Sequence, residues 1–144
     1  MIRTLTLSLA ASTALIAASA MAQDGGRKLQ TNLTGAAEVP GPGDPDGSGT
    51  AQITVNPGQT QVCYELTVTN IQAAAAAHIH EAPPGAAGGV VVTLDAPTGG
   101  SSSGCATVTR ELALEILKNP AAYYVNVHNA EFPAGAVRGQ LAKK

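Results

Sequence analysis

The chain has 144 residues, with eight Lys and Arg against ten Asp and Glu, and a formal net charge of −2 at pH 7. That length suits one domain, and a weakly acidic chain without a basic stripe argues against nucleic acid as a partner. Because the sequence has no Trp, one Phe and three Tyr, its core must consist mainly of Val, Leu, Ile and Ala side chains.

The first 22 residues have the pattern of a secretory signal peptide. Arg3 supplies a positive start, residues 5–18 are uncharged and apolar, and Ala20-Met21-Ala22 is a small-x-small cleavage site. We therefore predict a mature domain over residues 23–144, periplasmic or secreted, with no membrane span after cleavage. The alternative is an uncleaved N-terminal anchor, although the apolar run is shorter than the about 20 residues that a spanning helix needs.

Alternating apolar and polar residues predict about eight short strands. Turn residues separate the strands, notably at 41–49 and in the Gly- and Ser-rich stretch 98–103. One helix is predicted over 110–118, ended by Asn119-Pro120, with Leu112, Ile116 and Leu117 as its buried side. The predicted strands are residues 28–33, 50–55, 62–68, 75–81, 89–94, 105–109, 123–129 and 136–141.

Short strands, frequent turns and one short helix are typical of an all-β fold, either a β-sandwich or a Greek-key barrel. Two segments are ambiguous. The alanine run 73–77 has helix propensity but also suits a strand of small residues beneath another element. Asp44 and Asp46 could indicate calcium, but the other ligands of an EF-hand loop are missing and Pro45 would disturb one, so a solvated turn is the favoured interpretation.

Cys63 and Cys105 are the only two cysteines. Both occupy the non-core parity of their predicted strands, and an exported chain meets oxidising conditions, so we predict a cross-strand disulfide. The alternatives are a redox-active cysteine pair or two thiolate metal ligands. The CxxC spacing that would support either alternative is absent.

All three histidines are predicted on the outer face of the sheet. His78 and His80 are two residues apart, so on a strand they share a face, opposite Ile79. The same alternation directs His128 away from the core side of its strand. In the last strand Arg138 is directed outward in the same way.

Two imidazoles from one strand and a third from another could provide three ligands for copper or zinc and leave one coordination position open. The alternative is that these rings only hydrogen-bond to carbonyl groups or solvent. For Arg138 the alternative is an ordinary salt bridge, to Glu131 or Glu81. Alternation alone does not establish that the two histidine strands are neighbours.

Several motifs resemble the CHRD (chordin) domain family, in the right order and over about residues 29–141. They are LTGAAEVP (33–40), GTAQI (49–53), AAHIH (76–80) followed by Pro84-Gly85, YVNVH (124–128) and PAGAVRGQL (133–141). Two positions depart from the family pattern: Asn129, where the family usually has Thr, and Ala136, where it usually has a polar residue.

The resemblance implies an immunoglobulin-like β-barrel with limited similarity to copper/zinc superoxide dismutases. The segment His78-Ile79-His80-Glu81 is similar to a copper-binding strand of those enzymes, His128 to a later copper ligand, and Arg138 to an anion-guiding arginine. With three histidines in total, this chain cannot build the bridged two-metal site of those enzymes.

Three functions follow from these patterns. The first is an exported metal buffer, carrier or accessory protein, in which His78, His80 and His128 bind copper or zinc. The second is a non-catalytic interaction module of the envelope or matrix, with an unknown protein partner and structural histidines. The third, which is the least favoured, is a copper-dependent dismutase-like enzyme; Asp95 and Ser101–Ser103 lie in turn-like segments and support no catalytic triad. Around the metal, the first function assigns supporting roles to Arg138, Tyr124, Asn126 and Glu81.

Overall fold

The computed structural model describes residues 25–144, and the signal peptide predicted over residues 1–22 lies outside that range. Residues 25–144 form nine strands and one α-helix, with short 3₁₀ turns at Gly35–Ala37 and Pro120–Ala122. In chain order the elements are β1 (Arg27–Thr34), β2 (Ser48–Asn56), β3 (Gln61–Thr69), β4 (Ala74–Glu81), β5 (Gly89–Leu94), β6 (Ser101–Thr107), α1 (Arg110–Lys118), β7 (Tyr123–Asn129), β8 (Val137–Gln140) and β9 (Ala142–Lys143).

The strands form one antiparallel sheet in the order β5-β4-β7-β8-β1-β2-β3-β6, with β9 paired to β1. The outermost strands β5 and β6 contact each other, so the sheet curls into a nearly closed barrel. The predicted all-β fold of about eight strands and one helix is therefore confirmed. No helix within residues 25–144 is both long and apolar enough to cross a membrane.

Strand alternation builds the core. In β3 the side chains of Val62, Tyr64, Leu66 and Val68 are buried, because every second residue of a strand points to the same face. Equivalent positions of the other long strands add Val, Leu, Ile and Ala, as the composition predicts.

Helix α1 covers the predicted range without change. The side chain of Thr109 accepts a hydrogen bond from the backbone N–H of Leu112 and so caps the N-terminus. Its buried side was predicted incompletely: Ala113 and Ile116 are buried, whereas Leu112 and Leu117 are only partly buried against the core. The small Ala113 side chain is fully buried on the side of the helix that packs against the core.

Two of the eight predicted strands, 89–94 and 123–129, have the observed bounds; the others differ by one or two residues at an end, except that β6 begins four residues earlier than predicted. Ser101–Ser103 belong to β6 rather than to a turn, because they continue the antiparallel pairing with β3 that begins at Gln61 and Thr107. This backbone ladder outweighs the preference of serine for turns. The alanine run is a strand, and β4 begins at Ala74.

Cys63 and Cys105 lie directly opposite each other on β3 and β6 and form a disulfide, as predicted. The bond closes a loop of 42 residues. In the chain-entropy account, a loop of that length stabilises the fold by about 4 kcal/mol. That contribution is useful to a domain whose core has few aromatic side chains.

The 41–49 turn differs from the predicted solvated turn because Asp44 is buried. Its Oδ1 accepts hydrogen bonds from the backbone N–H groups of Asp46 and Gly47, both at 3.1 Å. The side chain of Asp44 therefore stabilises the turn itself, while Asp46 is exposed.

Candidate functional site

Three neighbouring strands hold the predicted site residues. In the sheet, β7 lies between β4 and β8, with Asn126 opposite His78 on one side and Arg138 on the other. One row further along, Tyr124 lies opposite His80 in the same way. Ile79 and Val125, which lie between these two rows in β4 and β7, are fully buried in the core. The outer-face placement of the histidines follows from this alternation, and the neighbouring strands bring His128 to the same patch.

The three imidazole rings lie together. One nitrogen from each of His78, His80 and His128 can be chosen so that all three lie within 4.8 Å of one another. His78 Nδ1 and His128 Nε2 are 3.2 Å apart. Nitrogens that bind one ion at about 2.0–2.1 Å are themselves roughly 3–4 Å apart, so the cluster is close to the spacing of a three-nitrogen metal site.

Two backbone carbonyls fix which ring nitrogens can bind a metal. His80 Nδ1 lies 2.9 Å from the carbonyl oxygen of Gly88, and His128 Nδ1 lies 3.0 Å from that of Pro133. Because a carbonyl only accepts, each Nδ1 carries the proton, and each Nε2 of the neutral ring keeps its lone pair. This is the usual arrangement of metal-ligating histidine, whose other nitrogen donates to a carbonyl or carboxylate.

His80 Nε2 is buried and has no hydrogen-bond partner. A buried polar atom without a partner is unfavourable by about 1–3 kcal/mol, so a bound ion would satisfy it. His128 Nε2 lies 3.2 Å from His78 Nδ1 and 3.0 Å from the side-chain amide of Asn126. Because an unprotonated Nε2 and an amide oxygen both only accept, this second contact requires the Asn126 amide to present its Nδ2–H to the ring. In the absence of an ion, His78 Nδ1–H donates to His128 Nε2, and a metal would take the place of that shared proton.

Burial keeps two of the histidines neutral. It lowers the pKa of His78, and the neighbouring His128 and His80 lower it further. Burial also lowers the pKa of His128; its hydrogen bond to the Pro133 carbonyl opposes that shift and the nearby His80 adds to it. Both rings are therefore mostly in the deprotonated form that binds metals at neutral pH.

A stack of planar groups lies behind His80. The ring of Tyr124 is parallel to the His80 ring within 6°, with the centroids 4.9 Å apart. The Arg138 guanidinium carbon lies 3.4 Å from the centroid of the same Tyr124 ring. Since β4 and β8 flank β7 on opposite sides, we infer that the imidazole and the guanidinium cover opposite faces of Tyr124.

Arg138 lies on the predicted outer side of its strand but is not exposed, with only 2% of its surface accessible. The loop between β4 and β5, residues 82–88, covers it. Side chains of the site hold this loop through its backbone: Gln140 Nε2 donates to the Ala82 carbonyl, Arg138 Nη2 donates to the Pro83 carbonyl, and the Gly88 N–H donates to the Tyr124 hydroxyl. An arginine in this position is screened from any anion approaching through solvent.

The sequence did not identify the charged neighbour of Arg138, which is Glu38. This carboxyl group is buried; burial raises its pKa to about 7, although the Arg138 charge and a hydrogen bond from the Val39 backbone act in the opposite direction. The predicted partners Glu131 and Glu81 are both exposed. Within residues 25–144 no ion pair joins either of them to Arg138. Glu38 lies in the motif LTGAAEVP, and membership of that motif was the one feature of the sequence that singled out this residue.

Glu81 is the predicted site residue that the fold does not bring to the histidines. It is exposed and lies opposite Tyr123, on the other parity of β4 from His80. Its charge acts on the Tyr123 hydroxyl, whose pKa is raised first by burial and then by Glu81. Tyr124, Asn126 and Arg138, in contrast, are all in contact with one another or with the histidines.

The pKa shifts predict that the stability of the wild type and that of Glu38→Gln depend differently on pH below 7. The folded state binds a proton at Glu38 below about pH 7, whereas the unfolded chain does so only near 4.5, so this group adds stability as the pH falls from 7 towards 4.5. The lowered pKa values of His78 and His128 act oppositely, because below about 6.5 the unfolded chain binds more protons. Glu38→Gln should therefore lose stability more steeply between pH 7 and 5.

Urea denaturation of metal-free protein at several pH values measures this difference. Parallel stability profiles for the wild type and Glu38→Gln would contradict the raised pKa of Glu38.

A family model described as the CHRD domain matches residues 29–141. No curated protein and no solved structure matches the chain.

Proposed function

Since the chain belongs to the CHRD domain family, we propose that it is an exported domain that binds copper or zinc through His78, His80 and His128, and that it acts as a metal buffer or accessory protein. The family suggests an extracellular or envelope location. The sequence of residues 1–22 supports export, and the disulfide is compatible with an oxidising compartment.

The unpartnered Nε2 of His80 is the observation that carries this proposal. The atom is buried, its ring is oriented by the Gly88 carbonyl, and two other imidazoles lie beside it. A purely structural histidine would be expected to satisfy both nitrogens. An ion at the centre of the cluster satisfies this atom and replaces the shared proton between the other two rings.

The donor set favours copper and zinc over hard cations. Imidazole suits both metals, whereas magnesium and calcium prefer carboxylate and carbonyl oxygens. Both cysteines are in the disulfide, so no thiolate competes. His78 and His128 are partly exposed, which leaves a side of the cluster from which an ion, a water molecule or a partner's ligand can approach. A site that is open on one side suits exchange of the ion more than permanent storage.

Calorimetric titration of untagged, metal-free protein with Zn²⁺ and Cu²⁺ tests the proposal. We expect binding of one ion per chain, with the same stoichiometry for Thr93→Ala. Thr93 is an exposed residue opposite His78 on β5, so this variant changes the same face without removing a ligand. Absence of saturable uptake by the wild type would refute the proposal.

A second function is favoured by the same hydrogen bonds. His80 and His128 each hold a loop through its backbone carbonyl, at Gly88 and Pro133, and such anchors would serve a non-catalytic interaction module equally well. In that case His128→Ala should lower thermal stability by the same amount with and without a chelator. A larger loss when metal is supplied supports the metal site instead.

A further inference from the structure

A permanent positive charge is fixed behind one of the three histidines. Arginine does not lose its proton in proteins, and Arg138 is almost fully buried. The guanidinium carbon lies 3.4 Å from the Tyr124 ring centroid, which lies 4.9 Å from the His80 ring centroid. The guanidinium is therefore roughly 8 Å from the His80 ring, a distance at which buried charges interact strongly. Arg138 Nη1 has no hydrogen-bond partner, so part of this charge is not dispersed by neighbouring oxygens.

Negative charge offsets it only in part at neutral pH. Glu38 is the acidic group that acts on Arg138, and its buried carboxyl group holds a proton over part of the neutral range. The remaining contacts of the guanidinium are neutral: the Pro83 carbonyl, the Gln140 amide and the Tyr124 ring. The candidate ligands are three imidazoles without a carboxylate, and imidazole binds a metal in its neutral form. An ion in the cluster would therefore keep nearly its whole charge and face a second buried cation.

Resting on the proposed function, we propose that Arg138 determines the charge of the ion that the site prefers, favouring monovalent copper, Cu(I), over Cu(II). A unit charge about 8 Å away, at an effective dielectric constant of about 20, changes the affinity for each added unit of ionic charge by roughly 30-fold. The repulsion from Arg138 is twice as large for divalent copper as for monovalent copper. The ratio of the two affinities therefore reports the effect of Arg138.

The test compares Arg138→Met with Arg138→Lys. Methionine can still pack on the Tyr124 ring but has no charge, whereas lysine keeps the charge and loses the planar fork. Cu(I) affinity is measured anaerobically by competition with a chromogenic chelator, and Cu(II) affinity by competition with glycine. We expect the ratio of Cu(I) to Cu(II) affinity to fall by about 10- to 30-fold in Arg138→Met and to change by less than about threefold in Arg138→Lys.

If the role of Arg138 were only structural, the affinity ratio would not change, because a loosened loop would weaken the binding of both ions alike. An unchanged ratio in Arg138→Met overturns the inference while the metal site stands. Failure of the wild type to bind either ion instead refutes the proposed function.

Glu38→Gln at pH 8 gives an independent result if Arg138→Met does not fold. At that pH the wild-type carboxyl group is mostly ionised and partly neutralises Arg138. Loss of the Glu38 charge should raise the ratio of Cu(I) to Cu(II) affinity by several-fold, opposite to the fall expected in Arg138→Met. A shift towards Cu(II) would overturn the inference.

Discussion

Replacement of His80 by alanine should lower the affinity for Zn²⁺ and Cu²⁺ by at least about 100-fold, because loss of a residue that merely orients a ligand already lowers metal affinity 10- to 100-fold. His80 is the most buried of the three rings and the one whose Nε2 has no other partner. The two remaining imidazoles, which are partly exposed, can still share an ion but not enclose it. Competition with a chelator of known affinity measures the change.

The same substitution should abolish the stabilisation of the fold by metal. A ligand that binds only the folded state, at a free concentration 100 times its Kd, raises the free energy of unfolding by about 2.7 kcal/mol. We expect this gain in the wild type and in Thr93→Ala, and almost none in His80→Ala at the same metal concentration. An equal gain in His80→Ala would show that the stabilising ion binds elsewhere.

Gly88→Ala should destabilise the fold by roughly 3 kcal/mol, the upper part of the usual range for overpacking. A Cβ at this position would overlap the backbone carbonyl oxygen of Glu81 and contact the side chain of Ala82. Since Glu81 ends strand β4 and Ala82 begins the 82–88 loop, relief of this overlap requires the loop to move. Urea denaturation followed by circular dichroism measures the loss.

Movement of this loop should also weaken the metal site. The Gly88 carbonyl orients His80, and the Gly88 N–H bonds to Tyr124, so a displaced loop loses both contacts. We expect metal affinity to fall about 10- to 100-fold in Gly88→Ala.

Gly89→Ala is the matched control for both effects. The next residue along the chain has nothing within 4 Å of an added Cβ, so we expect nearly wild-type stability and metal affinity. Similar losses in the two variants would mean that strand β5, rather than the contact with Glu81, is the sensitive feature.

The position of the histidines could be predicted because strand parity is a local property. His78 and His80 share a face in any strand, and the apolar neighbours of His128 define its outward side. The pairing of β4 with β7 was not available from alternation, since parity does not say which strands are neighbours. The observed register supplies it, by placing Ala76 opposite His128 and His80 opposite Tyr124.

The depth of Arg138 could not be predicted, because it depends on a loop rather than on a strand. Parity correctly placed its side chain on the outer face, but the backbone of residues 82–88 folds back over that face and buries it. The neighbour Glu38 comes from the connection between β1 and β2, far away in sequence. Contacts between loops follow no periodicity, so the buried charges were missed while the histidine cluster was found.

X-ray absorption spectroscopy of the copper-loaded chain most directly tests the account that three imidazoles hold one ion. We expect one copper per chain, about three nitrogen neighbours at roughly 2.0 Å and the multiple-scattering pattern of imidazole. His80→Ala, examined in the same way, should show one nitrogen fewer. A shell of oxygen atoms alone, or a wild-type spectrum that His80→Ala leaves unchanged, would contradict the account.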